Sequence, residues 1–86
     1  MTRAEAINII CGEELGKYNF FEARNNIENE LVILQDEVNW VVYATDERAS
    51  KITGSEKTFN NESDALENFI KRLRALNVLI KSAKAN

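Results

Sequence analysis

The sequence predicts an α+β domain: an N-terminal helix, an antiparallel meander of three or four strands, and a long C-terminal helix. Three observations carry this expectation. Leu66, Phe69, Ile70, Leu73 and Leu76 recur at spacings of three and four, the apolar stripe of a helix. Asn39 to Arg48, read Asn-Trp-Val-Val-Tyr-Ala-Thr-Asp-Glu-Arg, gathers residue types that favour a pleated, half-buried sheet. Ile7, Ile10, Cys11 and Leu15 make a second, shorter helical side near the start. At 86 residues the chain is expected to form one domain, with a loose tail over about 81–86.

The first helix is predicted over 3–15. Thr2 followed by Glu5 fits a capping box, in which each side chain satisfies a backbone N–H at the helix start. Gly12 weakens the helix without ending it, and Gly16 is the expected stop, since glycine takes a left-handed conformation without penalty. Cys11, beside Ile7 and Ile10, is expected to be a small buried hydrophobe.

Residues 18–34 fit two patterns. Phe20, Ile27, Leu31 and Leu34 suit a helical stripe, whereas Tyr18, Phe20, Phe21 and the Asn25-Asn26 pair suit a strand over 18–25 closed by a turn. Aromatic richness favours the strand. Glu30 to Gln35 is an apolar run of strand length, and Asp36 to Asn39 connects it tightly to the strand of Trp40. Successive side chains of that strand point to opposite faces. Val38, Trp40, Val42 and Ala44 are assigned to the core, and Val41, Tyr43 and Thr45 to water or a partner. Thr53-Gly54-Ser55 reads as a turn, and Lys57 to Phe59 as a short edge strand whose Phe59 tucks into the core.

Asn60-Asn61-Glu62-Ser63-Asp64 reads as the start of the last helix, with asparagine capping and acids at the positive end of the helix dipole. Its end has two readings. Asn77 is a left-handed stop, with Val78 folding back on Leu73. Alternatively the helix runs to about Lys84, which leaves Val78 and Leu79 off the stripe and partly exposed. Both helices are expected on the Trp40 face of the sheet, with the Tyr43 face left open.

Composition narrows the function classes. The chain has no His and one Cys, which removes His-based acid–base or nucleophile pairs, internal disulfides and four-ligand zinc sites. The three glycines form no phosphate-cradling motif. The adjacent acids Glu13-Glu14, Asp36-Glu37 and Asp46-Glu47 read as surface turns and strand ends rather than catalytic dyads. No enzyme, cofactor or metal is expected. No apolar run approaches the ~20 residues of a membrane span, and the first residues lack a signal-peptide pattern, so a cytoplasmic location without membrane contact is expected.

Charge is segregated along the chain. Residues 1–47 carry three basic against ten acidic groups, while 48–86 carry eight basic against four acidic. An acidic portion of the surface steers basic partners. The helix–sheet–helix order also suits a double-stranded RNA-binding domain. That function needs Lys and Arg where helices meet phosphate, and here the last helix opens with Glu62 and Asp64. Nucleic acid is therefore not the expected partner.

Trp40-Val41-Val42-Tyr43-Ala44-Thr45-Asp46-Glu47-Arg48, followed by Glu62-Ser63-Asp64-Ala65-Leu66 with Phe69-Ile70 and Leu73, resembles a family of small bacterial immunity proteins. These belong to polymorphic-toxin and contact-dependent growth inhibition systems, and the likeness points to the immunity family numbered fifty-nine. It spans roughly Asn39 to Leu76. The family pattern carries Gly after Asp-Glu-Arg, where this chain has Ala49. The resemblance implies a non-enzymatic inhibitor that binds a cognate toxin domain, such as a basic nuclease, and covers its active site. The expected contact residues are Tyr43, Asp46, Glu47 and Arg48, supported by Glu28, Glu30, Asp36 and Glu37. Arg48 has a second reading, an internal ion pair closing the sheet end. Two other classes remain: a structural or regulatory subunit that dimerises through the C-terminal helix, and the nucleic-acid-binding module.

Overall fold

The computed structural model describes residues 1–84. In chain order it contains α1 (Arg3–Gly12), β1 (Tyr18–Phe20), β2 (Leu31–Asp36), β3 (Asn39–Ala44), β4 (Lys57–Phe59) and α2 (Glu62–Lys84). The strands form one sheet in the order β1-β2-β3-β4. α2 lies against β2, β3 and β4, and α1 packs on α2. The α+β architecture is the expected one, with the helices layered on a single face of the sheet.

The sheet is mixed rather than an antiparallel meander. β2–β3 and β3–β4 are antiparallel, but β1 runs parallel to β2, pairing Tyr18 with Leu31 and Phe20 with Ile33. The cause lies at Phe20-Phe21. A continuing strand would send these two rings to opposite faces. Phe21 instead takes φ +60° and both rings pack against the helical layer, edge to face at 4.8 Å. Asn19 closes the bend, its side chain accepting from the Glu22 N–H at 2.8 Å and donating to the Glu22 carbonyl at 3.1 Å. The chain from 21 to 30 then crosses the sheet and returns to the end where β1 began, and the Leu31 N–H donates to the Lys17 carbonyl at 3.0 Å. The expected turn at Asn25-Asn26 is thus part of a crossover, and the strand over 18–25 stops at Phe20.

α1 opens with the expected capping box between Thr2 and Glu5. It ends three residues earlier than expected, at Gly12. Glu14, not Gly16, takes the left-handed position at φ +52°. The Leu15 N–H reaches the Ile10 carbonyl at 2.9 Å and the Glu14 N–H the Cys11 carbonyl at 3.3 Å, the paired bonds that close a helix end. This turn, and not a helical stripe, buries Leu15. The buried side of α1 is Ala6 and Ile10, so Ile7 and Cys11 are exposed, contrary to the expectation of a buried thiol.

α2 supplies the centre of the core. Ala65, Leu66, Phe69, Ile70 and Leu73 are fully buried against Leu31, Ile33 and Val42 of the sheet. Each large side chain of this set contributes about 1.5–3 kcal/mol by leaving water. Asn61 caps the helix, its Oδ1 accepting from the Asp64 N–H at 2.8 Å. Asn77 does not stop it. The buried Asn77 amide accepts from the Gly16 N–H at 2.8 Å and donates to the Gly16 carbonyl at 3.1 Å, tying α2 to the segment after α1. With that side chain engaged the helix continues to Lys84, leaving Val78 62% and Leu79 68% exposed. Residues 81–84 of the expected loose tail are thus part of the helix, and residues 85–86 of it lie outside the described residues.

Trp40, Val42 and Ala44 face the helices as expected, with Trp40 and Ala44 half-buried. Val38 does not belong to that set. It sits in the two-residue turn between β2 and β3, 78% exposed, because the register pairs Asp36 with Asn39 and leaves Glu37 and Val38 to form the turn. No helix of the described residues is long and apolar enough to cross a membrane.

Candidate functional site

The fold separates the expected contact residues into two groups at opposite ends of the β2–β3 hairpin. Asp36 and Glu37 lie at its turn. Glu28, Asp46, Glu47 and Arg48 lie at the other end, about 17 Å away along a strand at ~3.4 Å per residue. Glu30 and Tyr43 sit beneath the second group.

That second end is built from two loops locked together. The Asn29 N–H donates to the Asp46 carbonyl at 3.0 Å, and the Thr45 N–H to the Glu30 carbonyl at 2.9 Å. The Thr45 hydroxyl accepts from the Glu30 N–H at 2.9 Å and donates to the Ile27 carbonyl at 2.7 Å. Thr45 is thus buried as a fastener, although the strand pattern assigns it to water or a partner. The 46–50 loop is closed by Asp46, whose Oδ1 accepts from the Arg48 N–H at 2.8 Å and the Ser50 N–H at 3.0 Å. The N–H groups of Ser50 and Arg48 hold the Asp46 carboxyl below its ordinary range. Asp46 shapes the loop, and the exposed Glu47 and Arg48 form its tip. Arg48 makes no ion pair among the described residues, so the internal closure of the sheet end by this side chain is not observed.

Tyr43 and Glu30 are not surface residues, at 7% and 3% exposed. The second sheet face, expected to be open, is covered at this end by the crossover of residues 21–30. The Tyr43 hydroxyl donates to Asn26 Oδ1 at 2.7 Å, and Lys51 Nζ stands 4.7 Å from the ring centroid. Glu30 is enclosed by Arg24 and by the Ile27 N–H, which donates to it at 2.8 Å. Burial works to raise the Glu30 carboxyl, but Arg24 and Ile27 outweigh it and leave the group below its ordinary value. Both residues hold the crossover down. The offsets that bring Asn26 to Tyr43, 17 residues, and Arg24 to Glu30, 6 residues, follow no period that a sequence pattern reveals.

Most other acids are occupied. Glu13 pairs with Arg74, Glu22 and Glu30 with Arg24, Glu56 with Lys51, Glu62 with Arg3, and Glu67 with the N-terminal ammonium. Glu5 and Asp64 serve the helix starts. Among the described residues, no hydrogen bond or ion pair engages the carboxylates of Glu28, Asp36, Glu37 and Glu47, nor that of Glu14 after α1. The corresponding unpaired lysines include Lys71 and Lys81 on the exposed side of α2. Among the described residues no three acidic or thiol groups converge to hold a metal ion.

A family model described as immunity protein 59 matches residues 3–85. No curated protein and no solved structure matches the chain.

Proposed function

We propose that this chain, which belongs to the immunity protein 59 family, protects its producing cell by binding a cognate toxin domain and covering its active site. The partner has a basic surface, as a nuclease has where it meets phosphate. The observation that supports this reading is the placement of the unpaired carboxylates. Internal ion pairs and helix caps occupy the acids of the helices and Glu22 and Glu30 of the crossover, while, apart from Glu14 after α1, the carboxylates left without an ion pair among the described residues are Glu28 and Glu47 at one end of the hairpin and Asp36 and Glu37 at the other. Such a field accelerates encounter with a basic partner.

The end of the hairpin carrying Glu28, Glu47 and Arg48 is the better contact surface. Its backbone is held by hydrogen bonds between two loops, so little ordering entropy is lost on binding.

The test is co-expression with a candidate cognate toxin domain taken from the genome that encodes this chain, followed by purification. Restored growth and a stable complex are expected. Unrelieved toxicity, with no complex at micromolar concentrations, would remove the reading.

A further inference from the structure

Residues 22–29 of the crossover contribute no apolar side chain to the core. Their two apolar residues are Ala23, which is exposed, and Ile27, which is 50% exposed. The segment nevertheless lies over Val32 and Tyr43, which oppose each other in the β2–β3 register and share the face turned away from the helices. Val32 is fully buried and Tyr43 nearly so, although neither belongs to the core cluster under α2. Further along the same face Leu34 and Val41, also opposed, are half-buried.

Polar bonds hold this segment down. Arg24 grips both carboxylate oxygens of Glu30 and reaches back to the Tyr18 carbonyl of β1 at 3.3 Å. Asn26 accepts from the Tyr43 hydroxyl, the Ile27 carbonyl accepts from the Thr45 hydroxyl, and the Asn29 N–H donates to the Asp46 carbonyl. At its two ends the chain rejoins the sheet, through the Phe21 N–H bonded to the Ile33 carbonyl at 3.0 Å and the Glu30 N–H bonded to Thr45. The helices and paired strands touch one another directly and not through this segment. A stretch that buries so little apolar surface opens at a lower free energy than the core it covers.

We infer that residues 22–29 form a strap that opens as a unit while the sheet and both helices stay folded, with the Arg24–Glu30 pair as its latch. The closed form dominates. The open form bares Val32 and Tyr43 and joins them to Leu34 and Val41, a continuous apolar face that the closed form covers at one end. Hydrogen bonds and charge, not packing, set how often this face is exposed. The inference stands apart from the toxin-binding reading and is tested without toxin.

The experiment is native-state hydrogen exchange of the full chain, read residue by residue at denaturant concentrations below the unfolding transition, where reclosing outpaces exchange. The strap reporters are the bonded Ile27 and Asn29 amides, and the core reporters are the Phe69 and Leu73 amides inside α2. In wild type the strap amides should be protected about a hundredfold or more, yet exchange at least about tenfold faster than the core amides. Their rates should depend only weakly on denaturant, because opening the strap exposes little surface. Glu30→Gln should speed the strap amides about thirtyfold by removing the latch. Ile70→Val, which weakens the core alone, should speed the core amides about fivefold and leave the strap amides unchanged. Equal rates and denaturant slopes for the two sets, or strap amides that quicken with Ile70→Val, would mean that the segment lifts only when the whole protein unfolds, and the strap is overturned. Strap amides unprotected in wild type, or indifferent to Glu30→Gln, would overturn the latch.

Discussion

Arg24 lays its guanidinium across both carboxylate oxygens of Glu30, Nη2 to Oε1 at 2.7 Å and Nη1 to Oε2 at 3.0 Å. The pair fixes the crossover over the sheet, since Arg24 also donates to the Tyr18 carbonyl and Glu30 accepts from Ile27. Glu30→Gln leaves a largely covered guanidinium with only the exposed Glu22 as its counter-charge, and a loss of about 2 kcal/mol is expected at neutral pH, below the full figure for a deeply buried pair because Arg24 keeps Glu22 and some contact with water.

The same pair sets an acid dependence. The folded Glu30 carboxyl lies below its ordinary value of 4.5. Its contribution is therefore complete above that pH and declines as pH falls through the lowered folded value. Denaturant midpoints of wild type and Glu30→Gln should converge on acidification below 4.5. A gap as wide at the lowest pH where both fold as at pH 7 would place the stabilisation elsewhere.

Ala49→Gly should stabilise the fold. Ala49 holds φ +63° in the 46–50 loop, a conformation that crowds its Cβ against the backbone at about 1–2 kcal/mol and that glycine adopts freely. Part of the relief is offset by the greater freedom of glycine in the unfolded chain, leaving a net gain of about 0.5–1 kcal/mol. An unchanged or lowered denaturant midpoint would show that the Asp46 bonds already absorb the strain. The turn closes with Ala49 in this conformation because Asp46 accepts from both Arg48 and Ser50.

Trp40 tests the junction of the sheet with both helix starts. Its indole N–H donates to Glu62 Oε1 at 3.0 Å, an atom that also accepts from Arg3 Nη2 at 2.7 Å. Trp40→Phe keeps most of the packing and loses this bond, a cost of about 1 kcal/mol. Trp40→Ala also removes a half-buried ring, for about 3 kcal/mol in total. Thermal melts separate the two. Similar losses for both variants would mean that the hydrogen bond, not the ring, is what matters at this corner.

The parts of the fold that a sequence reveals are those set by local period. The stripe from Leu66 to Leu73, the Thr2–Glu5 cap and the alternation of Trp40, Val42 and Ala44 were all legible. Strand direction was not, because it depends on a left-handed bend at Phe21, a residue type that seldom takes one. For the same reason the stop of α1 at Glu14 was hidden behind two more obvious glycines. At the candidate site, the free acids Glu28, Asp36, Glu37 and Glu47 stood out by charge alone. The burial of Tyr43 and Glu30 is not legible, because nothing in their neighbours signals that residues 21–30 fold over them.

The burial of Tyr43 changes what its truncation reports. Tyr43→Ala removes a ring packed under the crossover and the bond to Asn26, so it should lower stability by about 3 kcal/mol. Any effect on toxin binding should follow from a loosened crossover. A variant that melts like wild type yet dissociates faster from the toxin would restore Tyr43 as a contact residue.

The two acidic ends of the hairpin should act differently on toxin association. They are about 17 Å apart, roughly two screening lengths at physiological salt, so each contributes to the encounter separately. Reversing Asp36 and Glu37 to Lys alters only the distant field. Association should slow by about three- to tenfold at low salt, with dissociation unchanged and the difference fading as salt is raised. In the proposed complex, reversing Glu28 and Glu47 to Lys would remove both the field and the partners of basic groups on the toxin. Association should slow and dissociation should quicken, and the second effect should survive at high salt because charges excluded from solvent are screened less. Stopped-flow or surface kinetics at two ionic strengths distinguish these patterns. If instead the Asp36/Glu37 variant dissociates faster and the Glu28/Glu47 variant does not, the toxin sits at the hairpin turn, around the exposed Val38, and the contact surface is the opposite end of the sheet.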